Sequence, residues 1–272
     1  MSHFKVAVIH SDDQTAEDML EPYIEEVDSD SEYAEFEIEV KNGEEKQKQD
    51  EELSEDYWQK SENKENLEKY SKMEPAEFVE EYYGYLKNDN GDWGYWRNPN
   101  AKWDWYQIGG RWAGQLKLKN GKTGKCGEKS LLLKENPYKE GYADSAKIED
   151  IDFIGMEKEE CFDLVKGYYA SVEKRKQLEI EGKTEEEIQK EMCWKFAEVN
   201  KDETIGDYLN RKVGFSSFAV LDDDGWHERA EMGWWGIERN EKEPKEKWES
   251  NFYDRFLKGR ENLNLTIVDC HT

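Results

Sequence analysis

Four cysteines are all that this 272-residue chain contains, and Cys126, Cys161, Cys193 and Cys270 stand far apart with no CxxC pair among them. That spacing indicates neither a zinc ribbon, nor a thioredoxin-like redox motif, nor a disulfide framework. Nowhere do eighteen apolar residues run together, and MSHFKVAVIH has no basic leader ahead of an apolar stretch, so the expected compartment is the cytosol, with no membrane partner. There is no internal repeat, no Walker lysine motif and no GxGxxG fingerprint. No cofactor is implied.

Aliphatic residues are also in short supply. Only 36% of the chain is apolar while 38% is charged, a balance that leans toward a solvated chain. Eleven Trp, fifteen Tyr and ten Phe reverse that reading, because each ring buries a large area and a core can be built from few of them. The chain reads as folded.

What is abundant is negative charge. The formal net charge is −26, and residues 12–56 hold 20 Asp or Glu against 3 Lys. Such a field repels bare nucleic acid and anionic membrane and attracts basic protein surfaces. Solvated helix faces and loops account for much of the acid; the functional reading is a partner-facing surface that includes Asp12, Asp13, Glu17, Asp18, Glu25 and Glu26.

Hydrophobic periodicity predicts an α+β fold with a mostly antiparallel sheet, the first and last strands as neighbours, helices packed on it and Trp-rich hairpins. Strands are expected at 4–9, 33–40, 215–221 and 263–269, with an Asp224-Gly225 turn returning through Trp226. Pro75 opens a short helix that Gly84 ends. Helices are expected at 155–181 and 184–199, the second opened by a Thr184/Glu187 capping box, and one more from about Pro244 to Leu257. Residues 92–119 read as an aromatic hairpin turning at Gly109-Gly110. The organisation expected is a single domain over 1–272, with a polar acidic insertion at about 41–72 and a helical insertion at about 155–212.

Four blocks are distinctive: MSHFKVAVI, NPNAKWDWYQIGGRWAG with its KWDWYQIGGRW centre, FAVLDDDGWHERAEMGWWG, and the closing LTIVDCH with its VDCH end. Together they make the chain resemble a family of small proteins encoded by tailed phages and prophages. The resemblance implies phage origin, a shared fold and a place of action in the host cytoplasm. It carries no cofactor or catalytic residue with it, and the acidic stretch from 12 to 72 lies outside the four blocks.

Chemistry-bearing residues gather at the termini. If the first and last strands pair antiparallel, His3 meets Asp269, Cys270 and His271, a set with ligand types for zinc or the makings of a Cys-His nucleophile. Against this, Cys270 and His271 are adjacent on a strand and so point to opposite faces. Gly109-Gly110-Arg111 could cradle a phosphate, although a tight turn among Trp105, Tyr106 and Trp112 is the simpler reading, and Asp104 with Arg111 could pair across that turn. Trp234 and Trp235, in the run MGWWG, serve either the core or an exposed binding platform.

The function expected from these features is an acidic, phage-encoded inhibitor that binds the basic surface of a host protein. The natural targets are nucleic-acid-handling defence enzymes, which a nucleic-acid mimic of anti-CRISPR or similar counter-defence type would block. Direct nucleic acid binding is not expected, and a homo-oligomer is compatible with the sequence. The alternative is a small metal-dependent or Cys-His enzyme at the terminal strand ends.

Overall fold

The computed structural model describes residues 2–58, 60–129, 136–192, 196, 199 and 203–272. Along the chain come β1 (His3–His10), α1 (Ala16–Leu20), β2 (Glu35–Val40), α2 (Glu45–Leu53), α3 (Lys64–Ser71), α4 (Pro75–Tyr83), β3 (Leu86–Lys87) and β4 (Trp93–Arg97). Next are β5 (Trp105–Gly110), β6 (Leu116–Lys117), β7 (Glu128–Lys129), β8 (Tyr142–Ala143), β9 (Ser145–Lys147), α5 (Phe153–Ile180), α6 (Glu185–Met192) and α7 (Ile205–Lys212). β10 (Ala219–Asp222), β11 (Gly225–Glu228), β12 (Glu231–Met232), β13 (Glu238–Arg239), α8 (Lys245–Phe252) and β14 (Asn264–His271) follow. The fold is α+β with mostly antiparallel pairing.

Two compact units are present, one formed by the chain up to Glu21 together with Trp105–Thr272, the other by Pro22–Asp104. The stretch at 41–72, which the sequence suggested as an insertion, lies inside the second unit.

In the larger unit the central sheet runs β11-β10-β1-β14-β5-β7, with β9 also on β14. The apolar run FKVAVI becomes β1, and β14 pairs with it antiparallel along its full length, from His3 opposite His271 to His10 opposite Asn264. Val6, Ala7, Val8 and Ile9 are buried, as a strand covered on both faces requires. On one face Ala7, Ile9, Val220, Leu265 and Ile267 pack against Trp248, Phe252, Phe256 and Leu257. These last four come from α8 and the π-turn at Tyr253–Leu257 that extends it. Each fully buried ring contributes about 2 kcal/mol, and the Trp248 indole also donates to the Ser217 carbonyl at 2.8 Å. The α5 helix forms where periodicity placed it; of the second helix expected at 184–199, α6 covers Glu185–Met192, residues 196 and 199 are not helical, and 193–195, 197 and 198 lie outside the described residues. Thr184 and Glu187 exchange their backbone donors, at 2.8 and 3.4 Å.

The segment 92–119 pairs differently from the expected hairpin. β4 joins β2 and β3 in the smaller unit, whereas β5 lies between β14 and β7 in the larger one. Gly109 and Gly110 have φ of 76° and 52°, but they admit carboxylates rather than close a hairpin. A Cβ at Gly109 would collide with Asp144 and one at Gly110 with Asp269. Asp104 and Arg111, expected as a pair across that turn, belong to different units. The hairpin at Asp224-Gly225 forms as expected between β10 and β11.

In the smaller unit, the polar run 41–72 folds because a few residues on one side carry the packing. Val40, Phe78, Val79 and Trp93 form its core, with Leu53, Tyr70, Tyr82 and Tyr83 around them. Gln49 of α2 is buried and donates to the Tyr70 and Met73 carbonyls at 2.8 and 3.0 Å. Glu52 accepts from Trp58 Nε1, Tyr82 Oη and Tyr83 Oη, at 3.3, 2.8 and 2.7 Å. Burial opposes charge on Glu52, yet the three donors outweigh it and hold its carboxyl below the usual range. The same contacts, with burial the larger cause, push Tyr82 up to about 12 and Tyr83 higher still. α4 ends as predicted, with Gly84 at φ 72°.

Candidate functional site

The β1–β14 register decides which terminal residues can act together. His3 lies opposite His271 and Lys5 opposite Asp269, so by the two-residue period of strands these four share one face. Cys270, opposite Phe4 and Tyr106, belongs to the other. It is buried, and desolvation, with the Asp269 charge adding to it, pushes its thiol well above the ordinary range. A protonated, enclosed thiol is a poor nucleophile and a poor metal ligand. The Cys-His pairing open from sequence is therefore corrected by alternation: His3, Asp269 and His271 come together and Cys270 does not. Among the described residues no group of three or more His, Cys, Asp or Glu side chains is placed to hold a metal ion.

Asp269 is fully buried and satisfied from two sides. His3 Nδ1 meets Oδ1 at 2.8 Å, and the Arg111 backbone N–H donates to Oδ2 at 2.9 Å. The second bond depends on the bare α-carbon of Gly110, which lets the chain pass over the carboxylate. The His3 ring meets His271 edge-on at 5.0 Å and Trp105 at 6.2 Å between centroids. A buried carboxylate on Nδ1 fixes ring orientation and tautomer, an arrangement suited to general-base work.

Beside this cluster Ser2 clamps the MGWWG turn. Its hydroxyl donates to the Gly233 carbonyl at 2.8 Å and accepts from the Gly236 N–H at 2.7 Å, while its backbone exchanges two 3.1 Å bonds with Thr272. The turn presents Trp235 at 80% exposure with φ 64°. A non-glycine residue in the left-handed region costs about 1 kcal/mol, and an exposed indole forgoes its burial energy. Of the two readings open for this run, Trp235 takes the exposed one. The Trp234 side chain lies outside the described structure.

The acidic candidates divide between the units. Asp12 is bound by Lys147 and Asn264, Asp13 by the Ser11 hydroxyl, and Asp18 closes a capping box with Thr15 at the start of α1, next to Glu17. Those four belong to the larger unit, and Asp12, Asp13 and Asp18 have local structural work. Glu25 and Glu26 are in the smaller unit, exposed and in no ion pair among the described residues. With Asp28, Asp30, Glu32 and Glu35 they make an exposed, unpaired acidic run. Across Pro22–Asp104 there are 25 Asp and Glu against 10 Lys and Arg, and 21 of the 25 are exposed.

Lys5 has the parity of Ala7 and Ile9, so strand alternation is the one sequence signal that puts a charge on the core-facing side of β1. No family model, curated protein or solved structure matches this chain. Among the described residues no helix is long and apolar enough to cross a membrane.

Proposed function

We propose that the protein is a phage-encoded acidic interaction protein that occupies the basic surface of a host factor, most naturally a nucleic-acid-handling defence enzyme, and blocks it. The observation that supports this reading most is the smaller unit, which holds a net −15 in 83 residues with nearly all of its carboxylates exposed. Unpaired carboxylates on a folded scaffold present negative charge without the ordering cost of a mobile chain, as a nucleic-acid backbone does to a basic groove. Independently of that surface, the larger unit exposes Trp235, a rigid ring able to anchor on a partner or stack on an arginine.

The reading is tested by immobilising the full-length protein, passing host lysate over it at low salt and identifying what is kept. The expected result is a basic nucleic-acid-binding enzyme, released by high salt and by competing duplex DNA. Retention that neither salt nor DNA disturbs contradicts the reading, as does retention of nothing.

One observation favours a second reading, the His3–Asp269 pair, which could serve a small enzyme at the terminal strand ends. The Cys270 version of that enzyme is not supported, for the reasons of face and protonation given above.

A further inference from the structure

A cleft of about 750 Å³ opens in the larger unit, bounded by the second turn of α5, the segment after α7 and the outer side of α8. Of its lining residues, Lys5 alone comes from the central sheet. Six carboxylates line it, Glu157, Glu159, Glu160, Asp207, Glu246 and Glu249, against one cation besides Lys5, Lys212.

Lys5 occupies a position that strand alternation assigns to the core. Its Nζ has a 3.3 Å hydrogen bond to Gln115 Oε1 and lies 5.2 Å from the centre of the Phe215 ring. Among the described residues no carboxylate forms an ion pair with it. Lys5 is half-buried, and an ammonium partly withdrawn from water without a carboxylate in contact loses more hydration than it recovers. Burial therefore pulls Lys5 down to about 8, against the opposing fields of Glu160 and Glu249. Glu160 moves the other way. Burial raises its carboxyl, with the Gly214 N–H, 3.3 Å from Oε2, and the Lys5 charge opposing. Near neutral pH the cleft thus holds an amine with an unusual share of its free-base form, and a carboxyl that more readily keeps its proton.

We propose that Lys5 is an imine-forming nucleophile, and that the cleft takes an aldehyde or ketone that is uncharged or cationic. The Nζ lone pair attacks the carbonyl carbon, the carbonyl oxygen takes up a proton and the nitrogen loses one, giving a carbinolamine. Glu160 then delivers a proton to the hydroxyl, the C–O bond breaks, water departs and the nitrogen lone pair forms the C=N bond, leaving a protonated iminium at Lys5 and the Glu160 carboxylate. One water is released, and nothing is oxidised or reduced. A lysine desolvated against an aromatic wall is the usual setting for such an amine. The surrounding carboxylates set the ligand class, since they repel oxo-acids and phosphorylated carbonyls. The site is independent of the acidic run in the smaller unit, so either proposal can fail alone.

The test uses the full-length protein with limiting pyridoxal, and in parallel pyridoxal 5′-phosphate, at about pH 7.5, followed by borohydride reduction and peptide mapping. The expected result is a pyridoxal adduct at Lys5 at least about tenfold above that at exposed lysines such as Lys60 and Lys64, because a pKa near 8 enlarges the free-base share by more than that. The phosphorylated probe should label Lys5 several-fold less. Lys5→Arg should remove the preferred adduct and leave the remaining pattern intact, and Glu160→Gln should slow labelling at Lys5. Mapping of the unaltered protein decides the matter even if a variant fails to fold. Adducts spread evenly over exposed lysines overturn the proposal, and equal labelling of Lys5 by both probes overturns its charge selection.

Discussion

His3 and Asp269 are 266 positions apart in sequence and meet at 2.8 Å across neighbouring strands, imidazole Nδ1 to carboxylate Oδ1. The contact follows from the β1–β14 register, and it places a buried carboxylate where, among the described residues, His3 and the Arg111 N–H satisfy it. Removing that carboxylate strips both donors of their acceptor. Asp269→Ala is expected to destabilise the larger unit by about 3 kcal/mol, and His3→Ala by about 1–2 kcal/mol. Denaturant unfolding followed by a tryptophan signal measures both, and a cost for Asp269→Ala no larger than a surface substitution would show the contact to be incidental.

The Gly110 backbone passes over Asp269, so an added methyl group meets the carboxylate as well as the strain of a positive φ. Gly121 has a comparable φ of 78° and open space around its α-carbon. Gly121→Ala should therefore cost about 1 kcal/mol from backbone strain alone. Gly110→Ala should cost at least about 2 kcal/mol more by the same measurement. Equal costs would mean that the close approach is unimportant.

Glu52 gathers three ring donors in the smaller unit, and Glu52→Ala leaves Trp58 Nε1, Tyr82 Oη and Tyr83 Oη without their acceptor. The expected loss is about 2–3 kcal/mol. Its pH signature follows from a depressed folded-state pKa. The stabilisation is present above the unfolded-state value of about 4.3 and is lost as pH falls through the lower folded value. Acid unfolding of the unaltered protein should accordingly be steeper below about pH 4 than that of Glu52→Gln, with the two curves parallel at higher pH.

Trp235 is held exposed in a left-handed conformation. Trp235→Gly should raise stability by about 1 kcal/mol by relieving that strain, while weakening retention of the host partner. A variant that loses stability would place the ring in the core, and one that keeps full retention would remove it from the interface.

The ends of the fold were legible in the sequence because their information is local. FKVAVI and LNLTIVD alternate or run as strands do, and Pro75 and Gly84 bracket a helix by backbone preference alone. That Cys270 and His271 face opposite sides follows from strand alternation alone. Gly109-Gly110 has the local pattern of a hairpin turn, while the groups that require these glycines, Asp144 and Asp269, are distant in sequence. Trp235 could not be placed, since a tryptophan pair looks the same in a core and on a surface. The polar run 41–72 folds through Gln49, Glu52, Trp58 and Tyr70, too few and too mixed in polarity for any periodicity to register.

The central claim is that the exposed acids of the smaller unit meet a basic partner. It is tested most directly by neutralising the unpaired run, with Glu25→Gln, Glu26→Gln, Asp28→Asn, Asp30→Asn, Glu32→Gln and Glu35→Gln combined, and measuring the affinity of this variant for the captured host protein across a salt series. The account predicts an unchanged fold, affinity lowered at least about tenfold at low salt, and a shallower dependence on salt than the unaltered protein shows. Equal affinity and equal salt dependence for the two proteins would contradict it.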